Sequence, residues 1–205
     1  MRIRVLAAVV SATAVLSACG QSAPIEPNAV PPHNRPAPAA PVPPSPAPPA
    51  GDSVELDISP TLAKIKQRRL LLVGVRADAP QFVSRDPAGE YRGFDAEIAR
   101  DLAKRIGLDP ATQVQFRRLP PTLLQDAVTA GNVDVLLGGT ADVPQLAAVG
   151  PYAVTDSKRY LVIKSDDRLL SDELRHMLDA AVADGSWQRA YDATLATAGI
   201  SARPR

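Results

Sequence analysis

From Gly20 to Asp52 the chain consists largely of Pro, Ala, Ser and Asn, including the run APAAPVPPSPAPP, with almost no charge and no aromatic side chain. Such a segment has too little apolar surface to offset the entropy lost on folding, and its prolines favour extended polyproline II. It is expected to act as a semi-rigid tether that reaches on the order of 100 Å when fully extended, at about 3.1 Å per residue. His33 lies inside it and is expected to be solvated. Most of the 21 prolines in the 205 residues fall here, so folding is confined to residues 54–205, the length of one ordinary domain.

The N-terminal segment MRIRVLAAVVSATAVLSAC opens on Arg2 and Arg4, continues through an uncharged stretch from Val5 to Ala18, and ends on small residues. A charged start, a short apolar core and a small-residue exit describe a signal peptide, and the apolar run is too short for a permanent membrane helix. The only cysteine follows at once. Leu16-Ser17-Ala18-Cys19 with Gly20 resembles the lipobox of bacterial lipoproteins, which implies cleavage after residue 18 and a diacylglyceryl group on Cys19. The expected organisation is therefore a signal peptide over 1–18, a lipidated tether over 19–53 and a globular part over 54–205. Two or more acyl chains hold a protein stably on a bilayer.

A formal net charge of +1 offers no concentrated basic face, so nucleic acid is not an expected partner. One cysteine excludes an internal disulfide, and two histidines without a second cysteine exclude the usual zinc ligand sets. Gly138-Gly139 is not followed by the Lys-Ser/Thr of a phosphate-binding loop. Asp95, Glu97 and Asp184 punctuate amphipathic helices at ordinary surface spacing and make no acid/base pair. No cofactor is implied.

Within the globular part, Ser59-Pro60 reads as an N-cap followed by a first-turn proline, opening a short helix that ends near Arg69. Leu70 to Val75 is a continuous apolar run suited to a buried parallel strand. Phe94, Ile98 and Leu102 mark an amphipathic helix over 94–106, closed by Gly107. Strands are expected at 114–119, 133–137 and 160–164, and helices at 121–130, 171–184 and 186–198. Leu174, Leu178 and Val182 are assigned to one buried face, and Trp187, Tyr191 and Leu195 to another. Phe82 and Phe94 are read as core aromatics and His176 as a surface residue. Alternating strands and helices with short connections predict right-handed crossovers and a mostly parallel sheet covered on both faces. Ligands of such sheets sit outside the carboxyl ends of the strands, here Arg76 to Phe82 and Gly138 to Pro144.

At these loops the chain resembles the family 3 extracellular solute-binding proteins, the polar amino-acid receptors of ABC importers. The resemblance rests on VGVRADAPQFVSRDPAGEYRGFDAEIARDLAKRIG (73–107), AGNVDVLLGGT (130–140) and SDELRHMLDAAVADGSWQRAYDATL (171–195). It implies an α/β fold: a single periplasmic-binding-protein-like lobe with a mostly parallel sheet flanked by helices. Members have two lobes, whereas only Ser165 to Leu170 separate the last expected strand from the closing helices, so the second lobe is expected to be absent.

The resemblance further implies ligand contacts at Asp78, Phe82, Gly139, Thr140 and Asp142. The family's hydroxyl positions fall on Ala141 and Val143, its arginine position falls on exposed loop-edge Leu146, and no cation lies nearby in sequence. A bidentate arginine contact to an α-carboxylate is thereby lost, and Asp142 would repel a carboxylate. The expected function is a membrane-anchored, extracytoplasmic solute-binding-like lipoprotein with weak or lost binding of an amino-acid-like ligand. Its expected partner is an ABC-transporter permease or another envelope protein. The alternative is a non-transport interaction or sensing module that uses the former cleft face. An enzyme has no supporting constellation.

Overall fold

The computed structural model describes residues 58–205; Cys19 and the assigned signal and tether segments lie outside them. Helix α1 (Pro60–Arg68) starts as its sequence demands, with the Ser59 hydroxyl accepting the Leu62 N–H at 3.0 Å and Pro60 in the first turn. Its apolar face buries Leu62 and Ile65, and it ends at Arg69 in the left-handed conformation. Strand β1 (Leu71–Arg76) follows, then a small hairpin of β2 (Ser84–Arg85) and β3 (Tyr91–Arg92). Helix α2 (Phe94–Ile106) has the expected bounds and is capped by Gly107. Strand β4 (Val114–Leu119) also falls as predicted. The helix expected over 121–130 divides into a 3-10 turn, Pro121–Leu123, and a short α3 (Leu124–Thr129).

The remaining strands are β5 (Val135–Gly139), β6 (Leu146–Val154) and β7 (Lys158–Lys164), followed by α4 (Arg168–Ala183) and α5 (Ser186–Ala193). The five-stranded sheet has the order β4-β1-β5-β7-β6. β1 pairs in parallel with β4 and β5, and β7 runs antiparallel to both β5 and β6, so only β7 is reversed. This is the mostly parallel sheet that was expected. Only Ser165, Asp166 and Asp167 connect β7 to α4, which leaves no room for a second lobe at that point.

Adjacent residues of the central strands face opposite sides, as the strand pleat requires. Val135, Leu137, Leu161 and Ile163 enter the larger core beneath α1, α2, α4 and α5. Leu136 and Val162 enter a smaller core with Leu124, Ala127 and Val128 of α3. Phe94, Trp187 and Tyr191 pack as a chain of rings, with centroids 5.5 and 5.6 Å apart in sequence. His176 is exposed, as expected.

Three expectations need correction. β6 was not anticipated, and it places Leu146 in the smaller core at 6% exposure, so this residue is not an exposed loop-edge position. Val182 is 45% exposed and Ala181 takes its place on the buried face of α4, because repeated four-residue steps drift off a face that recurs every 3.6 residues. The last helix stops at Ala193, and buried Leu195 belongs to the turn beyond it.

Asp167 joins the amino-terminal ends of α1 and α4. Its carboxylate accepts the Leu170 N–H at 2.9 Å, capping α4, and also the Ser59 hydroxyl at 2.7 Å and the Thr61 N–H at 3.0 Å at the start of α1. Burial alone would push its pKa up, toward the neutral form, but these donors outweigh burial and hold the carboxyl below its ordinary value.

Candidate functional site

The carboxyl ends of β1 and β5 lie side by side, and the loops that leave them carry the predicted site residues. Arg76, the last residue of β1, turns back onto its own loop: Nε donates to Asp78 Oδ1 at 3.0 Å and Nη2 to Asp78 Oδ2 at 2.7 Å. These hydrogen bonds hold the Asp78 carboxyl below its usual value. Arg76 also donates to the Gly138 carbonyl at 3.4 Å, tying the two loops together. On the second loop, the Asp142 carboxylate accepts from the Thr140 hydroxyl and, at 3.3 Å, from Gln125 Nε2 of α3. A hollow of about 350 Å³ opens here, lined by Arg76, Thr122, Gln125, Asp126, Thr140 and Asp142 among others.

Phe82 is buried, and its ring supports a second arginine that sequence proximity did not reveal. The Arg159 guanidinium carbon of β7 stands 3.6 Å from the Phe82 ring centroid, a close cation–π contact. Arg159 Nη2 donates to Asp95 Oδ2 at 2.6 Å, and its Nε donates to the Tyr152 hydroxyl at 3.1 Å. The Tyr152 hydroxyl in turn donates to Asp95 Oδ1 at 2.7 Å. All three residues are buried, and the closed ring of hydrogen bonds spans α2, β6 and β7. Gly138 also lies against the guanidinium; its φ of +70° suits glycine and its missing Cβ leaves the space that Arg159 fills.

Burial pushes the Asp95 carboxyl up and the neighbouring Arg159 charge opposes it. Burial lowers Arg159, but Tyr152 and Asp95 more than offset this and keep it above its ordinary value. Burial and the adjacent Asp95 drive the Tyr152 phenol well above its usual range, so it remains a neutral donor. The arrangement is a structural ion pair with no unpartnered buried side-chain polar atom among the described residues.

The predicted site residues are thus only partly assembled into one surface. Asp78, Thr140 and Asp142 are exposed at the rim, whereas Phe82 and Gly139 are buried beneath it. A Cβ on Gly139 would meet Leu136 Cδ2 at 2.7 Å, so its role is to let β5 pack closely. The former-cleft surface is accordingly more polar than expected, since Ala79, Phe82 and Leu146 all face inward. No cation lies near the ligand loop in sequence, but the fold brings two to it: Arg76 and Arg159 flank Gly138. Arg159 escaped notice because it stands 64 residues from Asp95 and next to no motif.

Residues 71–196 match the model of the bacterial extracellular solute-binding proteins, family 3. A protein of Haemophilus influenzae named "Probable amino-acid ABC transporter-binding protein" is 27% identical over 143 residues, 67% of this chain and 52% of that protein. A glutamine-binding protein of Geobacillus stearothermophilus is 34% identical over 79 residues, 38% of this chain and 30% of that protein. The chain therefore spans about half the length of the first relative and under a third of the second. Among solved structures, an arginine-bound form of domain 1 from TmArgBP superposes with a TM-score of 0.52 at 23% identity, covering 60% of this chain and 98% of that one. A solute receptor for L-cysteine from Neisseria gonorrhoeae gives a TM-score of 0.58 at 17% identity, covering 65% of this chain and 93% of that one. These two likenesses show the fold.

Proposed function

The chain belongs to the bacterial extracellular solute-binding proteins, family 3, and from that premise we propose that it is a lipid-anchored, extracytoplasmic single-lobe relative of amino-acid receptors in which free amino-acid binding is weak or lost. One observation carries the second half of this reading. Both arginines beside the strand ends are engaged internally, Arg76 by Asp78 and Arg159 by Asp95 and Tyr152. A ligand carboxylate would have to displace a protein carboxylate that is already in place, and hydrogen bonds to charged groups contribute about 1.5 to 3 kcal/mol each. Asp142 adds a like charge on the opposite rim. The missing lobe is a weaker ground, because the TmArgBP domain was solved alone in an arginine-bound form.

The rim residues Asp78, Thr140 and Asp142 remain the groups that would touch a ligand, with Phe82 and Gly139 shaping the floor. The partner in this reading is an ABC-transporter permease or another envelope protein, reached from the bilayer through the tether. The anchor rests on Leu16 to Gly20, and Cys19→Ala is expected to move the protein out of the membrane fraction; retention of a signal-cleaved Cys19→Ala protein would contradict it. Calorimetry of residues 54–205 against the twenty amino acids tests the site, with affinities expected no better than roughly millimolar, about −4 kcal/mol. Micromolar binding of any one of them would restore an ordinary transport receptor.

A further inference from the structure

The two edges of the sheet differ. On β6, Val154 exchanges backbone hydrogen bonds with Arg203 of the C-terminal segment, at 2.8 and 3.0 Å. On β4 no strand covers the outer side among the described residues. The Leu71 N–H donates to Gln113 O and the Ala77 N–H to Leu119 O, so in this parallel ladder Gln113, Gln115, Arg117 and Leu119 turn their backbone groups toward β1. Val114, Phe116 and Arg118 therefore turn theirs outward. Beside this open edge runs a trough of about 470 Å³ whose wall is a stack of side chains. Arg85 lies 5.7 Å from the Tyr91 ring centroid, Tyr91 lies 5.0 Å from Phe116, and Arg100 lies 5.8 Å from Phe116.

The charges along this edge are unevenly matched. Arg92 is paired with Asp86, and Arg100 with Glu97. Arg85 donates only to the Gly89 carbonyl and Arg118 only to the Ala77 carbonyl, while Arg117 makes no ion pair among the described residues. Three arginines thus meet no carboxylate, and Glu90 is the one acidic residue lining the trough. A second copy would set Arg117 and Arg118 against their own counterparts, a charge arrangement that discourages edge-to-edge self-pairing.

We propose that β4 is a docking edge for an extended, acidic segment of another polypeptide, which adds as a sixth strand. Its backbone would pair with Val114, Phe116 and Arg118; its side chains on one face would lie against the Tyr91–Phe116 pair between Arg85 and Arg118, those on the other face would reach Arg117, and its acidic residues would stand opposite the arginines of both faces. Strand addition draws affinity from main-chain hydrogen bonds and selectivity from alternate side chains. This surface touches the carboxyl-end loops only through Arg118 and the Ala77 carbonyl, and none of Asp78, Thr140 and Asp142 lines the trough, so strand addition does not require amino-acid binding there.

The test uses the full chain and a short fluorescent peptide of repeated Glu-Glu-Thr-Thr, which presents glutamate on both faces of a strand, followed by anisotropy. Controls are the same peptide with alternate backbone nitrogens methylated and a Lys/Thr peptide. The expected result is saturable binding that drops at least about tenfold with either control and with Arg117→Glu/Arg118→Glu, and that weakens with added salt. Absence of saturable binding would overturn the proposal. Equal binding of the methylated peptide would overturn it too, since that would be charge attraction without strand pairing.

Discussion

Two arginine–aspartate pairs occupy the same end of the sheet and behave as opposites. Arg159–Asp95 is sealed, with side-chain exposures of 7% and 0%, whereas Arg76–Asp78 is open, at 27% and 41%. The sealed pair is held by Tyr152 and roofed by Phe82, so it fixes α2, β6, β7 and the β1 loop relative to one another. The open pair bonds neighbours two residues apart and is screened by water. Identical chemistry thus organises the fold in one place and decorates its rim in the other, and the difference lies in desolvation.

The comparison breaks most visibly at Arg159. Arg159→Ala strands a buried carboxylate and is expected to lower stability by about 3 to 5 kcal/mol in urea unfolding, whereas the paired replacement Asp95→Leu/Arg159→Met should cost less than that single change. A double variant worse than the single one would mean that the pair is not the unit of stability. At the opposite end of the sheet, Asp167→Ala removes a cap from both α1 and α4 and is expected to cost about 2 kcal/mol. Because the folded Asp167 carboxyl lies below its unfolded value, its contribution is present above the unfolded value of about 3.9 and is lost as pH falls through the folded one. Urea midpoints of the parent should therefore fall more steeply than those of Asp167→Ala as pH drops from about 5 to about 3. At the rim, Arg76→Ala should cost under about 1 kcal/mol, with a change that shrinks in added salt.

The contrast also explains what the sequence could and could not reveal. α2 and β4 were legible to the residue because each satisfies a local rule: apolar residues four apart closed by glycine in one, and a compact strand-like run in the other. β6 was not, because LAAVGPYAV breaks at Gly150-Pro151 and its register with β7 shifts between Val149 and Ala153. That omission carried an error about the former cleft face with it, since Leu146 was read as an exposed loop-edge residue when it is buried at the start of a strand. The strand pattern located the loops Arg76 to Phe82 and Gly138 to Pro144, and the family resemblance singled out Asp78, Thr140 and Asp142 within them, which lie exposed at the rim. The Asp95–Tyr152–Arg159 ring was not found, since its members come from three elements and meet only when the sheet has formed.

The state of the Arg159 guanidinium tests the account most directly. In residues 54–205, the Arg159 Nε–H resonance can be followed by NMR while each of the twenty amino acids is titrated to millimolar concentration. The account predicts a resonance that stays in place with every one, as expected for a guanidinium already held by Asp95 and Tyr152. A shift of that resonance that saturates at micromolar ligand would contradict it, because Arg159 would then be free to receive a carboxylate.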